Sequence, residues 1–175
     1  MVSTYIHNIN HNRYLKTNYS NSYKYSKLND IKLNIKFKKD LNNKFNILCI
    51  FFLFKHLTFK NGFIIITNKR NKKIIGLKII LKHELMYKFF NFLINNFINQ
   101  PEIQNNIKIK SFDNHNNYIL SLVKSNYYYF EKVLINPFFK NILPCFDIIL
   151  IFNFKDSTSI FDNIFLLNLY KLYFI

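Results

Sequence analysis

The chain has 175 residues, with 25 Lys plus Arg against nine Asp plus Glu, a formal net charge of +16. Half of the residues are apolar, which excludes a chain disordered throughout. The length suffices for one domain with a real core. A field of this sign selects polyanions as partners: nucleic acid, or an anionic membrane surface.

The composition is skewed. There is no Ala or Trp and only two Gly, but 21 Phe and 12 Tyr. Asn, Ile, Lys, Phe and Tyr share AT-rich codons, so the gene is read as belonging to a very AT-rich, organellar genome. The cations are concentrated early. Residues 1–44 hold nine cations and two anions, residues 60–88 hold eight cations and Glu84, and residues 131–175 hold four of each. Such a gradient suggests a binding face rather than a uniformly solubilising surface. Cys49 and Cys145 lie in apolar runs with no second ligand at metal spacing, so both read as buried free thiols. The most apolar stretch, Phe45–Phe54, is followed by Lys55 and His56 and is too short to span a bilayer, which takes about 20 residues.

Residues 1–27 are polar and basic and read as an N-terminal extension. They lack the apolar centre of a secretory signal. LNDIKLNIKF (28–37) alternates Ile31, Leu33, Ile35 and Phe37 with Lys32, Asn34 and Lys36, which predicts a strand with one buried face. Asp40 is placed to cap an apolar helix over 41–59, and Asn61-Gly62 to end it. FIIITNKRN reads as a buried strand running into a basic tip. Ile74–Leu81 returns as its hairpin partner, and Lys69, Arg70, Lys72 and Lys73 sit at the tip. Residues 83–98 place Leu85, Met86, Phe89, Phe90, Leu93, Ile94 and Phe97 on one helical side, with Pro101 closing the element.

IKIKSFDNHNNYILSLV then reads as a polar loop between two strand-like runs. YYYF (127–130) is β-prone, and PFFKNILP is a Pro-bracketed loop. FDIILIFNF is an apolar strand. DSTS supplies N-caps for a helix over 158–169. The order β-α-β-β-α-β-β-α predicts an α+β fold, an antiparallel or mixed sheet packed on one side by helices.

Motifs for catalysis do not stand out. Neither Gly62 nor Gly76 belongs to a phosphate-cradling loop, and His83-Glu84-Leu85 is not a zinc helix. His7 and His11 stand in a polar tail with no carboxylate near them. The chain is therefore expected to be no enzyme and to need no metal or cofactor.

Residues 76–131 carry a resemblance. Gly76, Lys78, Leu81 and Lys82, then Met86, Tyr87 and Phe89, then Lys110, Ser111, Phe112, Asp113, Asn117 and Tyr118 match, in order and spacing, the large-subunit ribosomal protein five family. That family pairs a Gly-Cys-Lys-Val-Thr-Leu-Arg strand with a Met-Tyr helix and a Lys-Ser-Phe-Asp-Gly-Arg-Gly-Asn-Tyr loop. The resemblance extends outward through Ile31, Leu33 and Asn34, through Ile66, Thr67 and Arg70, through Asp147 and Ile148, and to the ending LLNLYKLYF. It covers roughly 28–174. Two departures stand out. The family's Gly-Arg-Gly is Asn114-His115-Asn116 here, Asn being the non-Gly residue that tolerates positive φ best. The family's longer loop toward P-site transfer RNA is spanned here by Asn71–Ile75 alone.

The resemblance implies one ribosomal protein five-like domain over 28–175, bound to ribosomal RNA in the central protuberance of an organellar (mitochondrial) large subunit. The RNA would be 5S RNA where the organelle has it, and otherwise large-subunit RNA. Neighbouring proteins of the protuberance and the small-subunit head are the further partners. Neither a membrane span nor a homo-oligomer is expected. The implied RNA-binding residues are Lys32, Asn34 and Lys36 on the first strand, Thr67, Lys69, Arg70, Lys72 and Lys73 on the hairpin, Lys78 on the next strand, and Lys110, Asn114, His115 and Asn116 in the loop. The alternative from a different class is a small basic membrane-associated organellar protein. A degenerate nucleic-acid enzyme is disfavoured, because no acidic metal-binding cluster stands out.

Overall fold

The computed structural model describes residues 26–38, 44–67, 73–98, 107–122, 146–156 and 159–174. Among these the elements run β1 (Lys27–Phe37), α1 (Lys44–Thr58), β2 (Phe63–Ile66), β3 (Ile74–Leu81), α2 (His83–Leu93), β4 (Tyr118–Leu122), β5 (Phe146–Lys155) and α3 (Ile160–Leu169). The fold is α+β, in the order the sequence predicted. The five strands form one antiparallel sheet in the order β2-β3-β1-β5-β4. Asp40, the hairpin tip 68–72 and the segments YYYF and PFFKNILP lie outside the described residues, as do residues 1–25.

The chain divides into two compact units. The first comprises Ile31–Leu81 and Ile119–Ile151; the second takes Lys82–Tyr118 and Phe152–Ile175 together with the start of β1.

In the first unit, β1 behaves as its period-two pattern demands. Ile31, Leu33, Ile35 and Phe37 are buried, while Lys32 and Asn34 are half-buried and Lys36 is exposed. Opposite them on β3 stand Leu81, Ile79 and Leu77, so apolar side chains meet across the pair. Helix α1 buries Ile50, Leu53, Phe54 and Thr58. Phe54 meets Phe146 edge-on with ring centroids 5.5 Å apart, an arrangement contributing about 0.5–1.5 kcal/mol beyond burial. The helix stops where Thr58 Oγ1 donates back to the Phe54 carbonyl at 2.7 Å and Phe59 turns to φ 53°. Gly76 marks a close approach of backbones. A Cβ there would be driven into the main-chain carbonyl oxygen of Ile35, an atom that no rotamer change can move aside.

One expectation is corrected in this unit. β2 is not a buried strand: Phe63, Ile64, Ile65 and Ile66 are all exposed, at 65, 50, 39 and 52%. A continuous apolar run signals a strand, but it does not say whether the strand lies inside a sheet or at its rim. Among the described strands β2 is the edge.

The second unit is organised by aromatic rings. Phe90 of α2 packs against Phe152 (5.6 Å) and Tyr170 (5.2 Å), and Tyr118 packs against Phe112 (5.1 Å), Phe152 (5.9 Å) and Phe174 (5.1 Å). The predicted helical side is buried at Met86, Phe89, Phe90, Leu93 and Ile94. The last turns, Ile94–Ile98, widen into a π-helix, with Asn96 Nδ2 donating to the Phe92 carbonyl at 3.0 Å. Within the core, the Asp30 carboxylate accepts from Asn153 Nδ2 at 2.6 Å and from Asn29 Nδ2 at 2.9 Å. Ser159 caps α3, its Oγ accepting from the Asp162 N–H at 3.2 Å, as the DSTS sequence predicted.

A second correction falls here. The run IKIK is not a strand: Ile107 is fully buried and Ile109–Ser111 form one tight 3₁₀ turn. With an apolar residue at alternate positions, four residues fit a turn as well as a strand.

Candidate nucleic-acid interface

On the first unit, α1 packs over the face carrying Ile35 and Leu77. The opposite face of β1 and β3 carries the polar side chains. The antiparallel register sets Lys32 opposite Ile80, Asn34 opposite Lys78, and Lys36 opposite Gly76. Facing residues of an antiparallel pair project to the same side, so Lys32, Asn34, Lys36 and Lys78 share one surface. At about 3.3 Å per residue, Lys32 and Lys36 lie roughly 13 Å apart along the strand.

This surface holds a depression of about 350 Å³, lined in part by Asn34, Lys36, Ile65, Gly76, Lys78 and Ile149. Oδ1 of Asn34 is buried and accepts no hydrogen bond. A buried acceptor in this condition costs on the order of 1–3 kcal/mol. β5 adds an acid to this unit: Asp147 Oδ1 lies 3.4 Å from Lys38 Nζ, both side chains partly exposed. A pair so exposed contributes little to stability.

The hairpin neck is closed by Thr67. Its N–H donates to the Lys73 carbonyl at 2.8 Å, and its hydroxyl accepts from the Lys73 N–H at 3.1 Å. Thr67 thus serves the hairpin's geometry, while the Lys73 side chain is exposed. Lys69, Arg70 and Lys72 lie outside the described residues.

The loop residues belong to the second unit. Lys110 is exposed in the 3₁₀ turn, and Asn114 and His115 are exposed beyond it. Asp113 holds this loop. Its Oδ1 accepts from the N–H groups of His115 (2.9 Å) and Asn117 (2.8 Å), and Oδ2 from Asn117 Nδ2 (3.0 Å). Partial burial pushes the Asp113 carboxyl up, but the hydrogen bonds from Asn117 and His115, with the His115 charge, outweigh it and hold it below its ordinary value. Asn116 sits at φ 60°, the left-handed conformation that Asn tolerates. Its carbonyl accepts from Asn163 Nδ2 at 2.9 Å, so Asn116 positions the loop rather than reaching from it. Buried Asn163 has no signal in the sequence. Asp113 does: an Asp ahead of an Asn-rich turn is the Asx pattern.

Tyr118, which follows the loop, is fully buried, and its hydroxyl makes no hydrogen bond. Burial pushes the phenol far above its ordinary value, so it stays a neutral core group. Among the described residues there is no cluster of three or more metal-ligating side chains, and no helix is long and apolar enough to cross a membrane. No family model matches the chain, and no curated protein matches it at a significant level.

Proposed function

We propose that this protein is a structural component of an organellar large ribosomal subunit, a ribosomal protein five-like chain that holds ribosomal RNA in the central protuberance. The observation that carries the reading is the cationic surface of β1 and β3. Lys36 and Lys78 line a depression and Lys32 stands on the same strand face, on a chain of net charge +16. Cations so placed neutralise phosphates and release their counterions, which is the sequence-independent part of RNA affinity. The resemblance of residues 28–174 to the ribosomal protein five family supports the same reading. So does the built loop after Lys110, where Asp113 and Asn116 hold a turn in which the family has glycines. The polynucleotide is 5S RNA where the organelle possesses it and another large-subunit segment where it does not. The role is scaffolding, with no chemical step.

Co-sedimentation tests this. The protein is expected to travel with large subunits through a sucrose gradient and to stay there after a wash at moderate salt. Recovery only in ribosome-free fractions would overturn the proposal.

A further inference from the structure

Beyond the RNA-facing surface, the first unit leaves a second surface without an account. Among the described strands β2 ends the sheet, and all four of its residues are exposed and apolar. Beside it, helix α1 is apolar on every side through its middle turns, residues 47–54. It buries Ile50, Leu53 and Phe54 inward but also exposes Phe45 (57%), Leu48 (54%) and Phe52 (60%) outward. The spacing of 45, 48 and 52 puts these three on one side of the helix. A shallow apolar groove joins the two elements, with Leu48 and Phe51 on one wall and Ile64, Ile74 and Leu77 on the other. Soluble chains seldom expose so many large apolar groups together unless something binds there. Natural edge strands are usually blunted by charge; β2 carries none.

We infer that this surface takes an extended, acidic segment of another protein, added as a sixth strand along β2, with alternate apolar side chains seated on the groove. Three observations select this occupant. An edge strand offers main-chain N–H and C=O groups that a polypeptide satisfies and a lipid tail does not. The flanking positions are cationic: Lys44, Lys55 and His56 at the two ends of α1 and Lys73 just before β3 are exposed, and no acidic residue occurs between Asp40 and Glu84. That charge calls for carboxylates on the incoming strand. It also disfavours a second copy of this chain, which would bring the same cations against themselves. The strand length of four residues, with a bulge between Ile65 and Ile66, limits the added strand to a short one.

The test uses the full chain and a synthetic eight-residue peptide alternating Val with Glu, followed by fluorescence anisotropy. A peptide alternating Val with Lys, an anionic phosphatidylglycerol vesicle and the protein's own sedimentation coefficient against concentration are run beside it. The acidic peptide is expected to bind at least about tenfold more tightly than the basic one, a discrimination of about 1.4 kcal/mol. Methylating the amide nitrogens of one alternate set of its residues should abolish binding, while methylating the other set leaves it. Leu48→Ser and Ile64→Ser, both at exposed positions, should weaken binding with the circular dichroism unchanged. The inference is overturned by equal binding of both peptides, by no binding, by indifference to N-methylation, or by concentration-dependent dimers. It is equally overturned if only the vesicles respond to Leu48→Ser. RNA binding through Lys36 and Lys78 is independent of every one of these results.

Discussion

Replacing Lys32, Lys36 and Lys78 together by Gln removes three positive charges from one surface of β1 and β3 and leaves the buried face of those strands intact. The magnitude follows from counterion release. Each phosphate contact contributes about 0.7 to 0.9 to the slope of log K against log salt, so three contacts contribute about two to three. Over a fourfold rise in salt, from about 50 to about 200 mM, wild-type affinity should therefore fall about 20- to 40-fold more than that of the triple variant. On the proposed reading, the assay is filter binding or anisotropy with organellar large-subunit RNA, and with 5S RNA, at four or five salt concentrations. Lys88→Gln serves as the comparison. Its ammonium already lies 2.8 Å from Glu84, and its loss should leave the slope unchanged. A triple variant that folds normally and keeps the wild-type slope would refute the assignment of this surface to phosphate.

The remaining predictions concern the scaffold. Tyr118→Phe removes a buried hydroxyl that makes no hydrogen bond, so urea unfolding should show unchanged stability or a gain of up to about 1–2 kcal/mol. A loss of that size would mean the hydroxyl is satisfied. Asp30→Ala deprives Asn153 of its acceptor in the core and should cost about 1.5–3 kcal/mol in the same assay. Gly76→Ala drives a methyl carbon against the Ile35 carbonyl and should cost at least about 1–3 kcal/mol, read as a fall in melting temperature. The Asp113 carboxyl is held below its ordinary value of 3.8. Its contribution to the loop is therefore full above that pH and lost as pH falls through the lowered value. Proteolysis or hydrogen exchange of 113–117 should increase in that acid window, and Asp113→Ala should show the looser loop already at neutral pH.

The order of the elements, the alternating faces of β1, the core side of α2 and the Ser159 cap were legible in the sequence. Each rests on local periodicity or on a hydrogen bond closed within a few residues. Legibility failed at FIII (63–66) and IKIK (107–110). In a chain where Ile and Phe fill so many positions, an apolar run no longer reports burial. The first run became an exposed edge and the second a 3₁₀ turn. For the site, the sequence could put Lys32 and Lys36 on one side of a strand. It could not bring Lys78 opposite Asn34, because cross-strand register depends on pairing between residues more than 40 positions apart.

By itself, then, the sequence determined a basic α+β chain, its strand and helix order, and the residues that alternate toward solvent, since these follow from side-chain type and backbone period. Tertiary structure alone decided which cations share a surface, which strand became the rim, and which polar groups, Asn163 and Asp30 among them, close on partners far along the chain. The reason is physical. Local preferences act over a few residues, whereas register, edge position and buried hydrogen bonds are settled only when distant segments compete for the same core.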